Sequence, residues 1–454
     1  MPQASSRNEL IDQAVQQAED TRAVEIGTGA IQSVPKLLRE FFFSDQPSPQ
    51  NAAAVIVADR NTWQAAGHQV HQLLNEAQPD SLDPIVLDVP DLHATAERVE
   101  QVEEALKPLD ATPIAVGSGT INDLVKLASH NLDRPYLTVA TAASMDGYTA
   151  FGASVVYDNS KQTMYCPAPR VVVADLDILA NAPPEMNAAG YGDLLAKVVA
   201  GADWIVADIL EIEPIHEPSW ALTQNRLHSW VSQPEGIRDG EPEALADLTL
   251  GLLMTGFGMQ SARSSRPASG AEHQFSHLWD MQHHTYKGHI PLHGNKVSIG
   301  LLASTMMYEQ FLAIDIIGLD IPSLMQRWPS LEEIENQIIA IQANEELIKV
   351  ARTECREKYI DAPTLGRRLE KLQTVWLDLR SALRKQLIPL TQTRQMLEAA
   401  GGMTHPSQIG IEPSRLYRSF AQAQQIRRRF TILDIATHLG CLDAWAEGCM
   451  TQLT

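Results

Sequence analysis

At 454 residues the chain exceeds one ordinary domain and accommodates two. Hydrophobic residues make up 44% and charged residues 20%, a globular and not a disordered composition, and no apolar run reaches the roughly 18–20 residues of a membrane span. With 35 Lys and Arg against 56 Asp and Glu the formal net charge is −21, which argues against non-specific attraction to nucleic acid or anionic membranes.

The opening segment MPQASSRNELIDQAVQQAED is polar and has no apolar signal core, so a cytoplasmic location is expected. Short β-rich runs then alternate with helical stretches. Strands are predicted at Ala23–Ile26, Ala54–Ala58, Ile85–Leu87, Ile114–Val116 and Tyr136–Ala140, with helical periodicity over His93–Leu109. That alternation predicts a parallel sheet with flanking helices, a Rossmann-like α/β domain over residues 1–185. Two further runs, Ala153–Tyr157 and Arg170–Val173, flank the polar segment DNSKQ and read as a hairpin added to the sheet. After the Pro-rich NAPPE the spacing becomes helical, with long charged helices predicted at Leu331–Tyr359 and Leu365–Leu387. Residues 186–454 therefore read as an all-α domain. The four cysteines (Cys166, Cys355, Cys441, Cys449) form no C-x-x-C pair, so a metal would be held by histidines and carboxylates.

Three segments carry cofactor signals. PIAVGSGTINDLVKLA runs from a strand through Gly117, Ser118 and Gly119 into a helix beginning Thr120-Ile121-Asn122-Asp123. Small residues there let backbone N–H groups and a helix N-terminus approach a phosphate. It is not the full G-x-G-x-x-G fingerprint, and a plain strand-to-helix turn capped by Asn122 or Asp123 has the same pattern. AAVIVAD ends on Asp59, placed to accept from adenosine ribose hydroxyls or simply to cap a turn, and Arg60 follows. TVATAASMDGYTA leads a strand into Thr141, Ser144 and Asp146-Gly147, a loop of small residues that can lie against a cofactor.

The metal signal lies further on. GYGDLLAK places Asp193 one turn before Lys197, and SSRPASGAEHQFSHLWDMQHHTYKGHIPLHGNKVSIG holds His273, His277, His283, His284, His289 and His293. His273 and His277 share a helical face at i, i+4. Two imidazoles and a carboxylate suit a divalent ion with positions left for substrate. Solvated helix-face histidines and an Asp193 cap fit the same spacing.

GSGTINDLVK, TAASMDGYTA, GYGDLLAK, SGAEHQFSH and LHGNKVSIG occur in the order found in the glycerol dehydrogenase, iron-containing alcohol dehydrogenase and dehydroquinate synthase superfamily. Within it the chain most resembles the sn-glycerol-1-phosphate dehydrogenases of bacterial type, over roughly residues 20–320. The resemblance implies a dehydroquinate synthase-like fold, with an N-terminal NAD(P)-binding domain and a helical metal-binding domain. It implies Asp193, His273 and His293 as metal ligands, His277 and Asp146 at the substrate, and the Gly117–Asp123 loop with Thr141 and Ser144 at the cofactor. Asp59 matches the ribose-binding acid and Arg266 a substrate-contacting arginine, while Lys197 joins Arg266 as a candidate for a substrate phosphate. Ala150 departs from a serine common in the family. The gap from His273 to His293 is longer than the archaeal pattern, but His293 keeps the His-Gly signature.

The implied reaction interconverts dihydroxyacetone phosphate and sn-glycerol 1-phosphate with NAD or NADP, NAD being favoured by Asp59. One divalent ion is expected, Zn or Ni, with Fe compatible. The expected partners are a small phosphorylated three-carbon substrate and further copies of the chain as a homodimer or larger homo-oligomer. The alternatives are a dehydrogenase of an unphosphorylated polyol, a sugar-phosphate cyclase, whose ligand carboxylate is typically Glu, and a non-catalytic binding protein.

Overall fold

The structure is a computed structural model that describes residues 6–44, 53–77, 82–157 and 160–453. Its strands are β1 (Ala23–Gly27), β2 (Ala53–Asp59), β3 (Ile85–Leu87), β4 (Ala111–Gly117), β5 (Leu137–Ala140), β6 (Ala153–Tyr157), β7 (Ser160–Met164) and β8 (Val171–Asp175). Six form one parallel sheet in the order β1-β8-β5-β4-β2-β3. The strand pattern follows from a two-residue alternation in which both faces are covered. Ile56, Ala58, Ile114 and Val116 enter one core with Phe42, Phe43 and Val70. Their neighbours Val55, Val57 and Ala115 enter the other with Val99, Val102, Ile121 and Leu124.

The predicted hairpin is corrected. Ala153–Tyr157 pairs antiparallel with Ser160–Met164, in register Ala153↔Met164 to Tyr157↔Ser160, as a separate two-stranded sheet. Val171–Asp175 instead runs parallel between β1 and β5, and all five of its residues are buried. An unbroken VVVA run, apolar toward both faces, suits an interior parallel strand and not the arm of a half-exposed hairpin. The helix predicted over Leu331–Tyr359 is likewise two, Leu331–Ile341 and Glu345–Lys358. Gln342 ends the first in an extended conformation, and the Asn344 side chain caps the second by accepting from the Leu347 amide.

The chain packs as two units. The first comprises the residues up to Leu194 together with Pro218–Ser265, and the second Leu195–Glu217 with Arg266 onward. The first holds both sheets, the helix Pro184–Leu195 as far as Leu194, and the apolar helix Pro242–Ala262. The second is helical, with Ala271–Met281 and His293–Ala313 at its core. No described helix is long and apolar enough to cross a membrane.

Candidate active site

Within the first unit, β2 and β4 are neighbours, yet the chain leaves β2 for β3 on one side and returns to β4 on the other. That reversal is a topological switch point, where parallel α/β sheets take ligands at the carboxyl ends of their strands. The two strand ends there are Asp59 and Gly117. Gly117 is required by packing: a Cβ would lie 2.5 Å from Cβ of Ile121 in the following helix. Ser118 is the extended N-cap of the helix Gly119–Asn131 and gives no side-chain cap, so the first-turn N–H groups are available to an anion. Neither sequence candidate for the cap serves as one. The Asn122 carbonyl accepts from the buried Tyr136 hydroxyl at 3.0 Å, and Asp123 Oδ2 accepts from the Ser154 amide at 3.2 Å. Asp59 does cap a turn, accepting from the Thr62 amide at 2.8 Å through Oδ1. Arg60 pairs with Asp88 at 2.6 Å on the surface.

Thr141 is buried and donates its amide to the Gly117 carbonyl at 3.1 Å, beside the half-buried Ser144. The loop that follows is pinned by a residue the sequence reading did not single out. Lys126, 1% exposed, donates to the carbonyls of Gly147 at 2.9 Å, Ala150 at 2.8 Å and Gly152 at 3.2 Å. Burial holds its ammonium below the usual lysine range. The Ala150 carbonyl thus supports the loop whatever side chain stands there.

The helix Pro184–Leu195 presents three residues to this loop at three-residue intervals. Asn187 Oδ1 accepts from the Ala143 amide at 3.0 Å, Gly190 abuts Ala143, and Asp193 Oδ2 accepts from the Asp146 amide at 3.2 Å. Asp193 is fully buried.

Within the second unit, Ala271–Met281 carries His273 and His277 one turn apart, and His293 begins the helix His293–Ala313. The helices meet closely at Gly300, where a Cβ would lie 2.2 Å from the Glu272 carbonyl oxygen. A buried ion pair between Lys296 and Asp280 joins them again. The ring centres of His273 and His293 are 5.2 Å apart, and that of His277 is 6.1 Å and 6.4 Å from them. Glu272 Oε1 stands 2.8 Å from His273 Nδ1, and Ser276 Oγ is 3.4 Å from His293 Nδ1.

Asp193 in the first unit and His273 with His293 in the second are residues that could hold a metal ion. One carboxylate and two imidazoles suit a divalent ion of the Zn type and leave positions for substrate oxygen. The other histidines of the stretch are elsewhere engaged or outward. His284 Nε2 meets the Ile409 carbonyl at 2.6 Å and Nδ1 meets Arg415 at 2.8 Å. His283 and His289 are exposed. Lys197 is fully buried at the start of its helix. Arg266 is 2% exposed and spends its donors inside the second unit, on the carbonyls of Asp203 at 2.9 Å and Phe430 at 3.2 Å, with Glu213 at 3.2 Å and Trp204 beneath it.

The model of the iron-containing alcohol dehydrogenase family matches residues 25–183. The glycerol-1-phosphate dehydrogenase [NAD(P)+] of Geobacillus thermodenitrificans is 32% identical over 388 residues, covering 85% of this chain and 86% of the relative. That of Halalkalibacterium halodurans is 35% identical over 289 residues, covering 63% and 70%. Among solved structures, glycerol dehydrogenase from Schizosaccharomyces pombe superposes with a TM-score of 0.59 at 15% identity, covering 95% of this chain and 91% of that one. A probable glycerol dehydrogenase from Sinorhizobium meliloti 1021 gives 0.58 at 15% identity, covering 94% and 98%. At such identity these two speak for the fold.

Proposed function

The chain belongs to the glycerol-1-phosphate dehydrogenase family of NAD(P)-dependent oxidoreductases, and from that premise we propose that it reduces the ketone of dihydroxyacetone phosphate to sn-glycerol 1-phosphate, and reverses the step, at Asp193, His273 and His293. The observation that carries this reading is the donor set itself, a fully buried carboxylate, Asp193, and two imidazoles, His273 and His293, with ring centres 5.2 Å apart. A divalent ion bound by these residues would supply polarisation of a carbonyl oxygen, and a nicotinamide cofactor would supply the hydride.

The chain's own residues do the rest. The uncapped helix start after Gly117-Ser118-Gly119 binds the pyrophosphate through its first-turn amides, those of Thr120 and Ile121 included, with Thr141 and Ser144 along the cofactor. Asp59, with Oδ1 on its cap, turns Oδ2 to the ribose hydroxyls and favours NAD over NADP. Asp146 orients the substrate hydroxyls, and Asp193 fixes that loop through its bond to the Asp146 amide. His277, whose ring lies beside those of His273 and His293, would deliver the proton to the C2 oxygen. Lys197, with Arg266 ordering the wall behind it, attracts the phosphate as a point charge. The donor set accommodates Zn²⁺ or Ni²⁺, and also Fe²⁺.

The test is oxidation of NADH and NADPH with dihydroxyacetone phosphate, before and after chelation and with metal added back. Metal-dependent oxidation with the phosphorylated ketone is expected. Preference for the unphosphorylated ketone would replace this reading with a polyol dehydrogenase, and absence of net NADH turnover would point to a cyclase.

A further inference from the structure

We propose that Glu272 is a positioning residue for the metal centre: it locks His273 as the tautomer with its proton on Nδ1 and so turns a bare Nε2 toward the ion. The inference rests on the assignment of His273 as a ligand. Glu272 itself touches no ion in this reading.

The chemistry of the pair sets the direction of the hydrogen bond. Glu272 is fully buried, and its Oε1 already accepts from the Gly270 amide at 2.7 Å. A carboxylate oxygen only accepts, so across the 2.8 Å between Glu272 Oε1 and His273 Nδ1 the imidazole is the donor. The neutral ring then has its lone pair at Nε2. Glu272 Oε2 is buried and accepts no hydrogen bond among the described residues, so both donors converge on one oxygen and the carboxylate's orientation is set by them. His293 Nδ1 faces the Ser276 hydroxyl at 3.4 Å, a group that donates or accepts and by itself fixes no tautomer. Partners of this kind orient metal-bound imidazoles and raise their basicity, and losing one costs about 10–100-fold in metal affinity.

The carboxylate is itself held in a narrow place. The point where a Gly270 Cβ would stand is 2.8 Å from Glu272 Oε2 and 2.4 Å from Oδ2 of the buried Asp203. Glutamine at 272 can therefore keep a carbonyl oxygen on the two donors and turn its amide toward Asp203. Alanine removes the acceptor altogether.

The experiment measures Zn²⁺ dissociation constants by chelator competition for wild type, Glu272→Ala, Glu272→Gln and His273→Ala, and reads the ¹⁵N shifts of His273 in metal-free protein. Wild type should show a protonated Nδ1 and a bare Nε2. Glu272→Ala should bind Zn²⁺ about 10–100-fold more weakly and lose that tautomer preference, while Glu272→Gln retains it and stays within about tenfold of wild type. A wild-type His273 protonated on Nε2 overturns the inference without any variant, even where Glu272→Ala fails to fold. So does a folded Glu272→Ala with wild-type affinity. If His273→Ala also retains full affinity, the assignment of His273 as a ligand falls instead.

Discussion

Gly190 packs against the carbonyl of Ala143 so closely that a Cβ on it would lie 1.8 Å from the oxygen. The contact sets the depth at which the helix Pro184–Leu195 meets the loop, and hence where Asp193 arrives one turn later. An alanine in this helix would gain about 1 kcal/mol of intrinsic propensity over glycine. Displacing a backbone carbonyl costs more, about 3 kcal/mol. Gly190→Ala is therefore expected to lower stability by about 2 kcal/mol net in denaturant unfolding, with weaker metal retention in the folded fraction.

Asp193→Ala, His273→Ala and His293→Ala should each strip the metal and nearly all turnover while leaving the far-ultraviolet spectrum intact. Elemental analysis of the purified variants is the check. His283→Ala and His289→Ala should keep their metal, since both side chains are exposed. A metal-replete, active His293→Ala would move the ligand role elsewhere.

Asp59→Ser separates two roles of one carboxylate. Serine preserves the cap that Asp59 gives the Thr62 amide, so stability should change by less than about 1 kcal/mol. The ratio of kcat/KM for NADH to that for NADPH should fall, as the acceptor for the ribose hydroxyls and its repulsion of a 2′-phosphate go together. A wild-type enzyme that prefers NADPH would contradict this role for Asp59.

Arg266 and Lys197 should part company. Arg266→Ala loses hydrogen bonds to two carbonyls and leaves a buried hole, so a stability loss of about 2–4 kcal/mol is expected. Lys197→Ala should instead cost on the order of 2–4 kcal/mol in kcat/KM for dihydroxyacetone phosphate and far less for dihydroxyacetone. An unchanged ratio of the two substrates in Lys197→Ala would remove it from the phosphate.

Burial, and then the charge of Glu272, push the Asp203 carboxyl up to about 7. The folded chain thus holds this proton more tightly than the unfolded chain. The resulting stability is full below the ordinary carboxylate value near 4 and is lost as pH rises through about 7. In metal-free protein kept in chelator, the melting temperature of wild type should fall between about pH 5 and pH 8 more steeply than that of Asp203→Asn. Parallel curves would show that Asp203 is not the source.

Much of this was readable in one dimension because periodicity is local. The five strands anticipated before Ala153 lie within a few residues of those observed, since each is an apolar run bounded by turn residues. The role of Val171–Asp175 was not, because a buried run does not name its neighbours. The histidine pair His273 and His277 declared itself by helical spacing. Spacing alone left the later histidines open and the His-Gly signature of the resemblance chose His293; the chain path adds that His289 is exposed and that His284 meets the Ile409 carbonyl. Lys126, Asn187, Gly190 and Glu272 were opaque for one reason: each acts on a backbone group or ring whose position only the folded chain determines. The Glu beside His273 in SGAEH was the one visible hint.

The position of β8 has a consequence for biosynthesis. Among the described residues β1 pairs with β8 alone, Ala23 against Val171, and the preceding segment is fastened to the same late region by Thr21 to the Pro169 carbonyl and Asp20 to the Ala168 amide. Until the ribosome has released residues beyond Asp175, the first strand has no edge to join, while β2, β3, β4 and β5 can already assemble with one another. β1, which emerges before β2 to β5, is thus fixed in the sheet after them. Such long-range closure is slow and leaves an open β5 edge in the interval.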